Sequence, residues 1–189
     1  MKAVLTLATL LVLAGCSTGS GAVSVVNGGE FRFVAGTPAG TAIAVDKRAP
    51  APAFSGTLVG GGRFASSGLR GKVAVLNFWG SWCAPCRVET PEFQQVYASV
   101  QNQGVAFVGL DVKEPTEAFA LAFMKRFGIS YPSVYDPRGE VALAFRDYPA
   151  NAIPSTIVLD RQQRVAAVYT GTVAERDLRS VLDRVLKEG

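Results

Sequence analysis

Histidine is missing from all 189 residues, and cysteine occurs only three times. With neither histidine nor a second Cys-x-x-Cys, the chain cannot assemble the four-ligand set of a structural zinc site, and it has no imidazole for general-base work. Charge is sparse as well: 19 Lys+Arg against 15 Asp+Glu, a formal +4. The basic residues are scattered, and no run interleaved with aromatics marks a nucleic-acid surface. No apolar run reaches the ~20 residues that a bilayer span needs, and no internal repeat is present. What remains is a chain 49% apolar, enough for one well-cored domain with extensions.

Lys2 is the one charged residue before Cys16, and Ala3 to Ala14 is an apolar stretch rich in Leu, Val and Ala. Too short to span, it reads as the h-region of a secretory signal. It closes on Leu13-Ala14-Gly15-Cys16, which resembles the lipobox of a bacterial lipoprotein. That resemblance implies removal of residues 1–15 and a diacylglycerol on the Cys16 sulfur. The alternative is an ordinary secretory signal with a fortuitous cysteine. Residues 16–24 then form a tether, Ser/Thr/Gly-rich from Ser17 to Gly21. Two or more acyl chains, at about 0.8 kcal/mol per buried CH₂, give stable attachment. With Cys16 consumed, the odd cysteine count becomes an even one, Cys83 and Cys86.

Further along, "SVVNGGEFRFVAG" predicts a hairpin turning at Asn27-Gly28-Gly29. "KRAPAPAFSG" predicts an extended linker, so that residues 25–50 precede a domain over 51–189. Val73 to Trp79 is apolar throughout except for Asn77, the pattern of a strand buried on both faces. Helical spacing follows, with Val88, Phe93, Val96, Tyr97 and Val100 largely on one face and Pro91 kinking the helix. "VAFVGLDV" predicts a second buried strand, and "EPTEAFALAFMKRFG" a helix from Pro115 to Gly128. A short strand, a short helix, a strand-turn-strand and a C-terminal amphipathic helix complete the order. Crossover units of this kind predict an α/β fold: a central mixed sheet flanked by helices.

Cys83 and Cys86 stand in "GSWCAPCRVE", where the central strand ends and a helix begins. Metal falls away for want of ligands. A structural staple across three residues constrains the unfolded chain little. A redox-active pair fits the position, since the first free N–H groups of a helix and its dipole favour thiolate over thiol. Such pairs lower the attacking cysteine to ~7 from ~8.5, which corresponds to roughly 2 kcal/mol. Cys83 is then the nucleophile and Cys86, one turn inside, resolves the mixed disulfide. Trp79 and Trp82 shield the pair and Pro85, after Ala84, stiffens the loop between the sulfurs.

"NFWGSWCAPCRVETPEF" resembles the active-site segment of the thioredoxin superfamily, and more closely its TlpA/ResA-like branch of membrane-tethered thiol-disulfide oxidoreductases. "APAFSG", "YPSVYDPRG", "AIPSTIVLDRQQRV" and the closing helix stand in the family's order, so the likeness runs from about Ala51 to Leu186. It implies a thioredoxin fold with a strand-helix insertion, here about Thr116 to Asp136. It implies that the Ile153-Pro154 bond is cis, and that Trp82, Ala84, Pro85, Ile153 and Pro154 meet the substrate. Asn77 stands where thioredoxin has a buried aspartate. Glu89 matches the glutamate of this branch, which implies proton handling for Cys86; its alternative is a plain acid near a helix N-terminus.

The resemblance implies a lipid-anchored monomer on the outer face of the bacterial membrane. It would reduce client proteins with cysteine pairs, apocytochrome c among them, using electrons from a membrane thiol carrier and no cofactor beyond its own cysteines. An oxidase or isomerase stays open, because direction depends on potential and partners. So do a peroxiredoxin-like peroxidase, which needs Thr/Ser where Gly80 stands, and a redox-inert binding module.

Overall fold

The computed structural model describes residues 36–37, 40–148 and 150–188. The expected signal, Cys16, the tether and the hairpin at Asn27-Gly28-Gly29 lie outside the described residues. In chain order the elements are β1 (Ser55–Leu58), β2 (Arg63–Ala65), β3 (Val73–Trp79), α1 (Ala84–Val100), β4 (Val105–Val112), α2 (Glu117–Phe127), β5 (Ser133–Asp136), α3 (Glu140–Ala144), β6 (Ser155–Leu159), β7 (Val165–Thr170) and α4 (Glu175–Leu186).

One seven-stranded sheet runs β2-β1-β5-β4-β3-β6-β7. β3 is an interior strand, parallel to β4 and antiparallel to β6, and all seven of its residues are buried. An unbroken apolar run needs such cover on both sides. Leu76, Phe78, Leu110 and Phe145 fill one core, closed by α3; Val75, Phe93, Phe107 and Leu178 fill the other, under α1 and α4. The expected insertion contributes α2 and slides β5 between β4 and β1.

Two details differ from the sequence reading. β1 and β2 form a hairpin around Gly60, Gly61 and Gly62, all at positive φ, a conformation that costs glycine little. In α1 the buried stripe is Cys86, Glu89, Thr90, Phe93, Val96 and Val100. That is the i, i+3, i+4, i+7 pattern in a phase that leaves Val88 outside, 72% exposed. The helix continues through Pro91.

The described part of the expected linker lies along β7. Thr37 N–H donates to the Val168 carbonyl and Ile43 N–H to that of Ala166, while the Thr37 hydroxyl accepts from Val168 N–H. Arg48 is buried, ion-paired to Asp160 at 3.3 Å and Glu188 at 2.7 Å, which ties this strap to the end of α4.

Candidate active site

β3 delivers the chain to the edge of the sheet at Trp79, and the next turn carries the cysteines onto the start of α1. Cys83 is the N-cap: its sulfur accepts from the Cys86 N–H at 3.2 Å. Sulfur thus takes the place of the usual hydroxyl or carboxylate cap. The two sulfurs are joined in a disulfide. Exposure separates them only narrowly, 3% for Cys83 and none for Cys86. Ala84 and Pro85 lie exposed on the first turn, Pro85 where a helix has no use for its missing N–H.

The loop before Cys83 is held from two sides. Ser81 donates to Glu114 through its N–H at 2.7 Å and its hydroxyl at 2.8 Å. Its carbonyl accepts from Arg87 at 2.8 Å. The Trp82 indole N–H donates to the Val112 carbonyl at 3.2 Å, leaving the ring half exposed beside the cysteines. Gly80 is required there, because a Cβ would sit 2.5 Å from Trp82 Nε1. Beneath, Trp79 stacks on Phe123 of α2 with centroids 4.7 Å apart, and both pack in one cluster with the cysteines.

Across from the disulfide the Ile153-Pro154 peptide is cis. Ile153 packs against the cluster of Trp79, Cys83 and Cys86. Pro154 is buried and its carbonyl accepts from Gly171, whereas the backbone groups of Ile153 make no hydrogen bond among the described residues. They are available to an incoming chain.

Glu89 is the acid of the site. It lies on the buried stripe of α1, 3% exposed, and accepts from Asn77 Nδ2 at 3.0 Å and Val173 N–H at 3.4 Å. Burial pushes its carboxyl up to about 7, against the pull of the Asn77 and Val173 hydrogen bonds. Asn77, which the sequence marks only as a lost aspartate, is what holds Glu89 in place. Sequence reasoning missed Glu114 and Asp111, both buried near the loop. Their signal was two acids at the end of a buried strand, "LDVKE". No cluster of potential metal ligands occurs among the described residues.

The sequence profile of the family described as AhpC/TSA matches residues 48–168. The thiol-disulfide oxidoreductase ResA of Geobacillus thermodenitrificans is 34% identical over 145 residues, 77% of this chain and 80% of that protein. Among solved structures, a secreted thiol-disulfide isomerase from Corynebacterium glutamicum superposes with a TM-score of 0.75 at 33% identity. The match covers 85% of this chain and all of the other. A DsbF homologue from Corynebacterium diphtheriae gives 0.72 at 36% identity over 76% of this chain and 90% of its own.

Proposed function

The chain belongs to the AhpC/TSA family and, within the thioredoxin superfamily, to the ResA-like thiol-disulfide oxidoreductases, and we propose that it reduces disulfides in client proteins outside the cytoplasm. The observation that carries this is the Cys83–Cys86 pair at a helix N-terminus packed beside Ile153, whose backbone makes no hydrogen bond among the described residues. A client segment adds edge-on to Ile153, and Trp82, Ala84, Pro85 and Pro154 flank it. The Cys83 thiolate, favoured by the helix terminus, attacks one sulfur of the client disulfide and the other leaves as thiol. Cys86 then attacks Cys83, releasing the reduced client and regenerating the intramolecular disulfide. Glu89 accepts the proton that Cys86 must lose. Its burial on the core face of α1, which raises its carboxyl to about 7, supports this over the alternative of a plain acid near a helix N-terminus.

Electrons re-enter from a membrane thiol carrier, and apocytochrome c is a fitting client since its haem-binding cysteines must be reduced. Residues 1–15 are the signal, Cys16 carries lipid, and residues 51–189 are the working domain, acting as a monomer. No helix of the described residues is long and apolar enough to cross a membrane; the proposed attachment is the lipid on Cys16. The peroxidase alternative is disfavoured by Gly80, whose missing Cβ makes room for Trp82.

The test is the midpoint potential of the pair in a glutathione buffer, with trapping. A value well below the about −180 mV of protein disulfide isomerase supports reduction, and one near about −120 mV makes the protein an oxidant. Cys86→Ser should accumulate mixed disulfides with clients and Cys83→Ser should not. The reverse pattern would exchange the two roles.

A further inference from the structure

The proposed exchange leaves unexplained a groove that opens between the start of α1 and α2. Its volume is about 290 Å³, and Ser81, Arg87, Phe119, Phe123, Arg126 and Phe127 line it. Phe119, Phe123 and Phe127 recur at every fourth residue of α2, which stacks them along one face. Phe123 is buried and stacks on Trp79, and the half-buried Phe127 ring lies 4.6 Å from it between centroids. Phe119 is 54% exposed. It is the open end of an aromatic stripe that leads into the cysteine cluster, not an apolar residue scattered on the surface.

The groove carries charge of one sign. Arg87 and Arg126 line it and no acid does. Neither guanidinium has an ion pair among the described residues. Arg87 donates once, to the Ser81 carbonyl at 2.8 Å, and Arg126 lies over the Phe127 ring, 5.8 Å from its centroid. Each guanidinium has five donors, so both keep donors for an incoming acceptor. Glu114, the acid bonded to the same loop, is buried and turns both oxygens to Ser81. Arg126, in the last turn of α2, complements that helix's dipole, but Arg87 stands in the opening turn of α1, where a cation is unfavourable. Helix stability therefore does not account for Arg87.

We infer that this groove selects clients: it takes one aromatic side chain of the client on the Phe119–Phe127 stripe, and Arg87 and Arg126 hold an adjacent Asp or Glu carboxylate. Sites for drug-sized ligands run to about 300–1,000 Å³, so the space suits a single large side chain. A guanidinium matches a carboxylate in geometry as well as in charge. The groove is continuous with the place of exchange, because Phe123 and Ile153 both pack on the cluster that holds Cys83 and Cys86. Arg87 stands four residues after Cys83, about 6 Å along the helix. An extended client covers that distance in about two residues, so the preferred aromatic–acid pair lies about two to four residues from the client's reactive cysteine.

This deepens the proposed function and rests on Cys83 as the attacking sulfur, so the test pairs a binding readout with an exchange readout. Synthetic peptides share one cysteine and differ in an adjacent pair about three residues away: Phe-Glu, Phe-Lys, Ser-Glu or Ser-Lys. With serine in place of that cysteine, their binding to the oxidised protein is followed by NMR. As mixed disulfides with glutathione they are reduced by the dithiol protein, each turnover oxidising Cys83 and Cys86 to their disulfide and releasing one peptide thiol and one glutathione. The Phe-Glu peptide should exceed Ser-Glu about tenfold in kcat/KM. It should exceed Phe-Lys about fivefold, a preference that fades in high salt. Phe119→Ser should shrink the aromatic ratio and Arg126→Glu should invert the charge ratio. Both residues are exposed, so neither change opens the core, and each ratio is taken within one variant. Equal rates for all peptides, or ratios that both variants leave unaltered, overturn the groove. A dimer in sedimentation that Phe119→Ser dissociates would assign it to a second copy of the chain and overturn it as well. Selective binding without exchange of any peptide would leave the groove standing and sink the functional reading instead.

Discussion

Replacing Glu89 with glutamine keeps the shape and removes the charge of the one acid that α1 buries. Wild-type Glu89 is raised from the ordinary 4.5 to about 7 by burial, so the fold favours its neutral form. Stability from this group is therefore fully present below about pH 4.5, falls as pH rises, and is lost above about 7. At ~1.4 kcal/mol per pKa unit the loss amounts to about 3 kcal/mol, an upper figure because the denatured chain is not fully solvated. Glutamine has no such slope and its amide oxygen can still accept from Asn77. The variant should thus equal or exceed wild type in stability at pH 8, measured by urea denaturation, and lose that advantage near pH 4.5. Catalysis should go the other way. Cys86 must shed a proton in a site closed to water, and a carboxylate half ionised at neutral pH suits that task. Stopped-flow decay of the mixed disulfide should slow about tenfold or more, the lower range for a lost general base. A Glu89→Gln protein with wild-type turnover from pH 6 to 9 would refute the proton role, whatever its stability.

Cys16→Ser should release the protein from membranes or leave it unprocessed; a correctly cleaved variant that stays membrane-bound removes the lipid claim. Gly109→Ala should cost about 1–3 kcal/mol, the usual price of overpacking, because its Cβ would overlap Ser133 Oγ and Trp79 Nε1. A thermal midpoint equal to wild type would show that this buried polar pocket yields.

The succession of elements from Val73 onward and the position of the cysteines at a strand-to-helix junction were legible because they rest on patterns that survive without tertiary knowledge. Val73 to Trp79 could only be central, and Cys83 could only cap the helix after it. The phase of α1 was not legible. Val88 looks like a stripe residue, and counting it excludes Glu89; the structure reverses both, since an acid on the core face is recognisable only once Asn77 and Val173 supply its donors. The β1–β2 hairpin went unseen because its strands are four and three residues long and their pattern is half exposed. Asp111 and Glu114 are three residues apart around a left-handed turn at Lys113, and no periodicity announces that both are buried.

The strap along β7 has a consequence for a thiol-disulfide oxidoreductase that must meet other chains. An uncovered sheet margin is a template on which foreign strands add and aggregate. Here Thr37 and Ile43 hydrogen-bond along β7, and the opposite margin, β2, is three residues long and begins on Arg63. The backbone of Ile153, unbonded among the described residues, stands instead beside the sulfurs. If clients add edge-on at Ile153 as proposed, a strand seeking a partner meets poor templates at both ends of the sheet and a good one where pairing leads to exchange and then to release.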